Sequence, residues 1–146
     1  MKYVLAFILA VISTFTFAKG SHAVQSECLA KMAYAEARGE SVADRRKTMD
    51  VIILRSMHKE FPSSICANLT GSQYQWTKKR QIIKEKETYA KIRQEARAVY
   101  ASYLLGEWRD TTGGAYFFSS NGVKPAKRAF RIKKSGRMTW YGLRGV

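Results

Sequence analysis

Proline is nearly missing from this chain: Pro62 and Pro125 are the only two in 146 residues. No Pro-, Ser- or Gly-rich stretch, internal repeat or low-complexity tract divides the sequence. It is long enough for one compact core and too short for two. Cysteine and histidine are equally sparse, with Cys28 and Cys66, His22 and His58 spread along the chain. That scatter does not make a zinc site, and no metal is expected. Long apolar runs are confined to the start, where Val4 to Phe17 follow Met1-Lys2-Tyr3. A run of about 14 apolar residues suits the core of an export signal and is short for a membrane span.

Acidic side chains are the last scarcity. There are 11 of them against 26 Lys and Arg, a formal net charge of +15. A surface of that sign seeks a polyanion. Nucleic acid is the usual partner of a basic chain, but export argues against it and the sequence carries no nucleic-acid recognition signature. An anionic polymer of the cell envelope fits better. The plainer alternative is solubility, with Lys78, Lys79, Lys133 and Lys134 simply solvated. Small residues allow signal cleavage after Ala18 or after Ala23, so residues 1–23 read as leader and 24–146 as the mature domain, in the periplasm or the outer cell wall. Left uncleaved, the same segment would be the protein's one hold on a membrane. Two cysteines in an exported chain favour a Cys28–Cys66 disulfide.

Helical spacing predicts a first helix over residues 25–38, with Cys28, Leu29, Met32 and Ala35 on one face, Glu36 among them, and Glu27, Lys31 and Tyr34 opposite. Gly39 is expected to end it. Ser41, with Asp44 three residues on, opens a second helix whose Val42, Met49, Ile52, Ile53 and Met57 read as core until Phe61-Pro62. A loop with Cys66 follows, in which the sequon Asn68-Leu69-Thr70 is taken as chance. A third helix over residues 84–105 shows Tyr89, Ile92, Ala96, Val99 and Tyr103 at spacings of three and four, with Gly106 as its stop. Beyond Gly113-Gly114 the period changes. Ala115 to Ser119, Ala129 to Ile132 and Met138 to Tyr141 read as short strands, with turn signals at Asn121-Gly122 and Ser135-Gly136. Helices first and a little antiparallel sheet last is an α+β order, in two unequal lobes with a ligand cleft expected between them.

Glu36 is the residue that does not fit a plain core helix. A carboxylate partly withdrawn from water has its pKa raised, and a protonated carboxyl near neutral pH is what glycosidic-bond cleavage asks of its general acid. The alternative is a helix-end Glu bent out to solvent.

Four ordered segments sharpen the choice: Tyr34-x-Glu36-Ala37-Arg38-Gly39-Glu40, Phe61-Pro62-x-x-Ile65-Cys66, Gln73-Tyr74-Gln75-Trp76-Thr77 and Gly114-Ala115-Tyr116-Phe117-Phe118. Together they resemble the SleB-type cell wall hydrolases, a family associated with spore-cortex lysis and found also in phage and Gram-negative proteins. The similarity runs from about Cys28 to Tyr141. It implies peptidoglycan cleavage, a catalytic domain similar to the lysozyme and lytic transglycosylase folds, and Glu36 as the essential acid. In a lytic transglycosylase one Glu protonates the oxygen between N-acetylmuramic acid and N-acetylglucosamine. As a carboxylate it then assists attack by the muramyl 6-hydroxyl, with no cofactor.

A lysozyme-type muramidase using water would want a second carboxylate. Glu40 is the first candidate, with bracing of the turn or pairing with Arg38 as its structural alternative; Glu107 and Asp110 have less to recommend them. Gln73, Tyr74 and Trp76, then Tyr116, Phe118 and Tyr141, are candidates to stack on or bond sugar rings, while alternate aromatics in Tyr116-Phe117-Phe118 must also fill a core. Two positions depart from the family pattern: Lys127 stands where a tryptophan is common and Met138 where a histidine is. The rival from another class is a non-catalytic cationic protein that binds the wall or perturbs membranes.

Overall fold

A computed structural model describes residues 22–70 and 83–146. Residues 1–21 of the expected leader and the candidates Gln73, Tyr74 and Trp76 lie outside the described residues. Three helices come first and a three-stranded antiparallel sheet last, as an α+β order requires.

Helix α1 covers residues 22–37. Leu29 and Met32 are fully buried, while Cys28, Ala35 and Glu36 are half-buried. Tyr34 departs from the expected outward face and is only 4% exposed. A second layer explains this: the Tyr34 ring meets Tyr89 of the third helix edge-on at 5.4 Å, and its hydroxyl accepts the Glu85 amide N–H. The helix stops before Gly39, and the chain turns through a Glu40 N–H donated to the Ala37 carbonyl at 3.0 Å.

Helix α2, Val42–Met57, starts where Ser41 Oγ accepts the Asp44 amide N–H. The Asp44 carboxylate is held by two further side chains. It accepts from Lys47 Nζ at 2.8 Å and Ser135 Oγ at 3.0 Å. Nor is α2 a simple amphipathic stripe. Val42 and Met57, expected in the core, are about 60% exposed, whereas Asp44, Lys47, Asp50 and Arg55 are buried with Met49, Ile52 and Ile53. The helix is enclosed along most of its length, so its charges are kept inside by partners rather than by facing water.

Asp44 illustrates the balance. Burial, the largest single influence, raises its pKa, and the bonds from Lys47 and Ser135 with the Lys47 charge outweigh it, leaving the carboxyl below its ordinary 3.8. The native group therefore holds a proton less readily than the unfolded one. Its stabilising contribution is complete above pH 3.8 and is lost as pH falls through the lower native value. Asp44→Asn should accordingly melt below wild type at neutral pH, with the gap narrowing in strongly acidic buffer; parallel melting curves across that range would contradict this.

The Cys28–Cys66 disulfide forms, with the two Cα atoms 5.4 Å apart, and ties α1 to a 3-10 turn at Cys66–Leu69 across 38 residues of sequence. The sequon is structural: buried Asn68 donates its amide hydrogens inward to the Pro62 and Ser64 carbonyls. Helix α3, Lys86–Leu104, matches its predicted span closely, buries Ile92, Ala96 and Val99, and ends where Gly106 takes φ +73.

Strands β1 (Phe117–Ser119), β2 (Ala129–Ser135) and β3 (Met138–Leu143) form the sheet in the order β1-β3-β2. The central strand β3 is buried at all six positions. One face carries Trp140 and Met138 into the main core with Leu29, Met32, Ile52 and Ile92; the other joins Tyr141 and Leu143 to Phe117 and Ala129. Burying a side chain of this size is worth about 1.5–3 kcal/mol, so β3 is the main seam between the helices and the sheet. Met138 thus fills core space where the family commonly has a histidine, and Lys127 is exposed.

The β2–β3 turn is clasped by the α1–α2 corner. Ser135 reaches Asp44, Arg137 Nε donates to Glu40 at 2.8 Å, and a Cβ on Gly136 would fall 2.9 Å from the Glu40 carboxylate. With φ +54, that position favours glycine, and a side chain there would also push the Glu40 carboxylate aside.

Candidate functional site

The clasp fixes the end of α1 against the sheet, and this decides where Glu36 points. Its side chain lines a cleft of about 290 Å³ together with Arg55, Phe118, Ser119, Ser120, Asn121, Val123 and Pro125. One wall is therefore helical and the other is the end of β1 with the loop that follows it.

Each wall is held in place. Arg55, in the last turn of α2, is 4% exposed. It donates Nε to the Tyr116 carbonyl at 2.6 Å and places its guanidinium 5.3 Å from the Phe61 ring centre and 4.9 Å from that of Phe117. Aromatic faces replace part of the hydration such a cation loses on burial. Across the cleft, Asn121 Oδ1 accepts from Ser119 Oγ at 2.6 Å and from the Val123 amide at 3.0 Å, rounding the loop into a turn. The Tyr141 hydroxyl donates to the Gly122 carbonyl at 3.0 Å and anchors that turn to β3.

The sequence-derived candidates separate on this geometry. Glu36 and Phe118 meet in the cleft. Tyr116 is half-buried, stacked parallel on Phe61 at 5.8 Å with His58 edge-on at 5.2 Å. Tyr141 is 5% exposed in the second core cluster and supports the cleft loop from behind without joining the lining. Glu40 is turned to Arg137, with its side chain 8% exposed, and Arg38 pairs with Glu85 instead. Asp110 caps its own loop by accepting from the Thr112 and Gly114 amides. Among the described residues, Glu36 is the one carboxylate in the cleft lining.

Sequence spacing passed over Arg55. The available signal was a cation three residues after Ile52, on the buried side of an apolar helix. A larger cavity of about 660 Å³ lies between α2 and α3, lined by Val42, Met49, Ala98 and Val99 among others. It is almost wholly apolar, and its Glu95 is held by both terminal and Nε nitrogens of Arg45 at 2.6 and 2.8 Å. Size alone would favour it; chemistry favours the Glu36 cleft, where a carboxylate, a fixed guanidinium, hydroxyls and an aromatic face converge.

A family model described as Cell Wall Hydrolase matches residues 39–141. The chain belongs to that family. The matched span takes in Arg55, Phe118 and the whole cleft loop of the hydrolase, and it begins just after Glu36. No curated protein and no solved structure matches the chain. Among the described residues of this cell wall hydrolase, no cluster of His, Cys, Asp or Glu could hold a metal ion, and no helix is long and apolar enough to cross a membrane.

Proposed function

We propose that this cell wall hydrolase is exported and cleaves the bond between N-acetylmuramic acid and N-acetylglucosamine as a lytic transglycosylase, with Glu36 as acid and then base. Membership of the family supports action on peptidoglycan. The observation that carries the finer reading is a carboxylate that is alone, among the described residues, in a cleft of mixed polar and aromatic lining.

A water-using retaining or inverting glycosidase works with two carboxyl groups at a set separation. Here the first alternative, Glu40, is committed to Arg137. One carboxyl suffices when the nucleophile is the substrate's own 6-hydroxyl. Glu36 gives its proton to the glycosidic oxygen as the C–O bond breaks, then takes the proton of the 6-hydroxyl as that oxygen closes on the anomeric carbon. The carboxyl is regenerated and no water is consumed. Phe118 offers a ring face to a pyranose, and Ser119, Ser120 and Asn121 face its hydroxyl and acetamido groups. The leader and the disulfide support export.

Isotopic water tests the reading. Digestion of purified sacculi in heavy-oxygen water should leave the new muramyl ends unlabelled. Stoichiometric label at those ends would make the protein a muramidase that uses water.

A further inference from the structure

The positive charge of this hydrolase is not spread evenly. No Asp or Glu follows Asp110, while Lys and Arg continue to the end of the chain. In the helical half, cations are interleaved with acids and several are matched, Arg45 with Glu95, Arg46 with Asp50, Lys47 with Asp44 and Arg93 with Glu27, while Lys59, Lys84, Lys86, Lys91 and Arg97 are exposed outside these pairs. In the sheet half two are matched from outside, Arg128 by Glu60 and Arg137 by Glu40. Lys124, Lys127, Arg131, Lys133, Lys134 and Arg144 are all exposed and make no ion pair among the described residues. Charge that served solubility alone would have no reason to collect at one end of the molecule.

The strand that carries most of these cations is built to display them. β2 is an edge strand, hydrogen-bonded only to β3. In a regular strand Arg131 and Lys133 would share a face, because side chains alternate with period two. An irregularity at Ile132 breaks that rule: Arg131 lies opposite Tyr141, and Lys133 lies opposite the adjacent Trp140. The two cations therefore leave the strand on opposite sides, and Lys134 follows opposite Thr139. The result is a cationic rim along the sheet edge rather than a stripe on one face. Lys124, also exposed, stands in the loop between Val123 and Pro125, both lining residues of the Glu36 cleft.

We propose that this sheet edge is a docking surface for the carboxylates of peptidoglycan stem peptides, gripping the peptide-bearing strand while the Glu36 cleft works on its glycan. The proposal rests on the peptidoglycan reading of the cleft. Glycan backbones alone offer little for cations to recognise, and the unpaired Lys124 stands between two residues of the cleft lining. A polymer entering the cleft thus carries its own acidic branches past Lys124 and along β2. This favours the substrate's own peptide carboxylates over a separate phosphate polymer.

The test is co-sedimentation of the Arg131→Gln/Lys133→Gln/Lys134→Gln protein with sacculi stripped of phosphate polymers, beside turnover on soluble peptide-free glycan chains. Binding to sacculi should weaken on the order of tenfold and lose most of its salt dependence, with turnover on peptide-free chains unchanged. A charge-preserving Lys133→Arg/Lys134→Arg protein should sediment like wild type, which separates charge from folding. Unchanged sedimentation of the triple variant would overturn the proposal. So would wild-type binding that appears only when phosphate polymer is left on the walls. Because sedimentation needs no catalysis, Glu36→Gln protein should still bind. Should that protein also still cleave, the reading of Glu36 fails while the docking surface stands.

Discussion

Replacing Glu36 with Gln is expected to leave a folded protein that binds sacculi and releases no measurable muropeptides. The substitution keeps the volume and shape of a half-buried side chain and removes its titrating proton. Positioned general acid–base catalysis contributes about 10²- to 10⁴-fold to a rate, and here one group supplies both proton transfers, so a loss at the upper end is predicted. The loss should fall on kcat, because Gln still fills the same wall of the cleft and the remaining lining, from Arg55 to Pro125, is untouched. A cationic protein that acted by wall binding or membrane disturbance would behave differently. Its lytic effect would survive Glu36→Gln and fade with added salt as screening shortens the reach of surface charge. Melting temperature, sedimentation and muropeptide yield from one preparation separate the two cases.

The second large effect is on stability. Asp50 is fully buried on α2, yet its carboxylate is fully engaged. One oxygen accepts from Arg46 Nε and from Trp108 Nε1, each at 2.8 Å. The other accepts from the Thr111 amide at 3.0 Å and the Thr111 hydroxyl at 2.6 Å. This one side chain therefore ties the loop after α3 to the central helix. That loop leads directly into β1 and the cleft wall.

Asp50→Ala removes the anion, leaves four donors without their acceptor and opens a void. Breaking a buried, bonded charge pair in this way costs about 3–5 kcal/mol. Against a mid-range total of about 10 kcal/mol, this removes roughly a third to a half of the stability of an average domain. Urea denaturation should show the midpoint falling accordingly. Asp50→Asn keeps an acceptor oxygen for Trp108 or Thr111, and its midpoint should lie between those of wild type and Asp50→Ala. Equal midpoints for all three proteins would mean that the loop is held by something else.

What could be read from the residues depended on how many sides of an element are covered. α3 presents one face inward, so its three-four spacing gave both ends almost to the residue. α2 is covered nearly all round, and a pattern that sorts apolar from polar positions cannot find Asp50 or Arg55 inside it, because their burial is licensed by partners distant in sequence. Spacing alone points Tyr34 outward for the related reason that it cannot see α3 forming a second layer over α1. The strands were legible from their aromatics and from Ser135-Gly136. Their order was not, because β1 pairs with β3 across a long loop and no local signal encodes that choice. At the site, Glu36 stood out as a charge in an apolar setting and Phe118 as half of an aromatic pair. Arg55 and the Ser119–Asn121 turn joined them only through the packing of three separate elements.

The claim that one carboxyl performs both halves of the reaction is tested most directly by the mass of the muramyl end left on fragments of purified sacculi. The account predicts ends one water lighter than a reducing sugar, the 1,6-anhydro form, from the wild-type protein and none from Glu36→Gln. Reducing muramyl ends, or anhydro ends that persist in the variant, would contradict it.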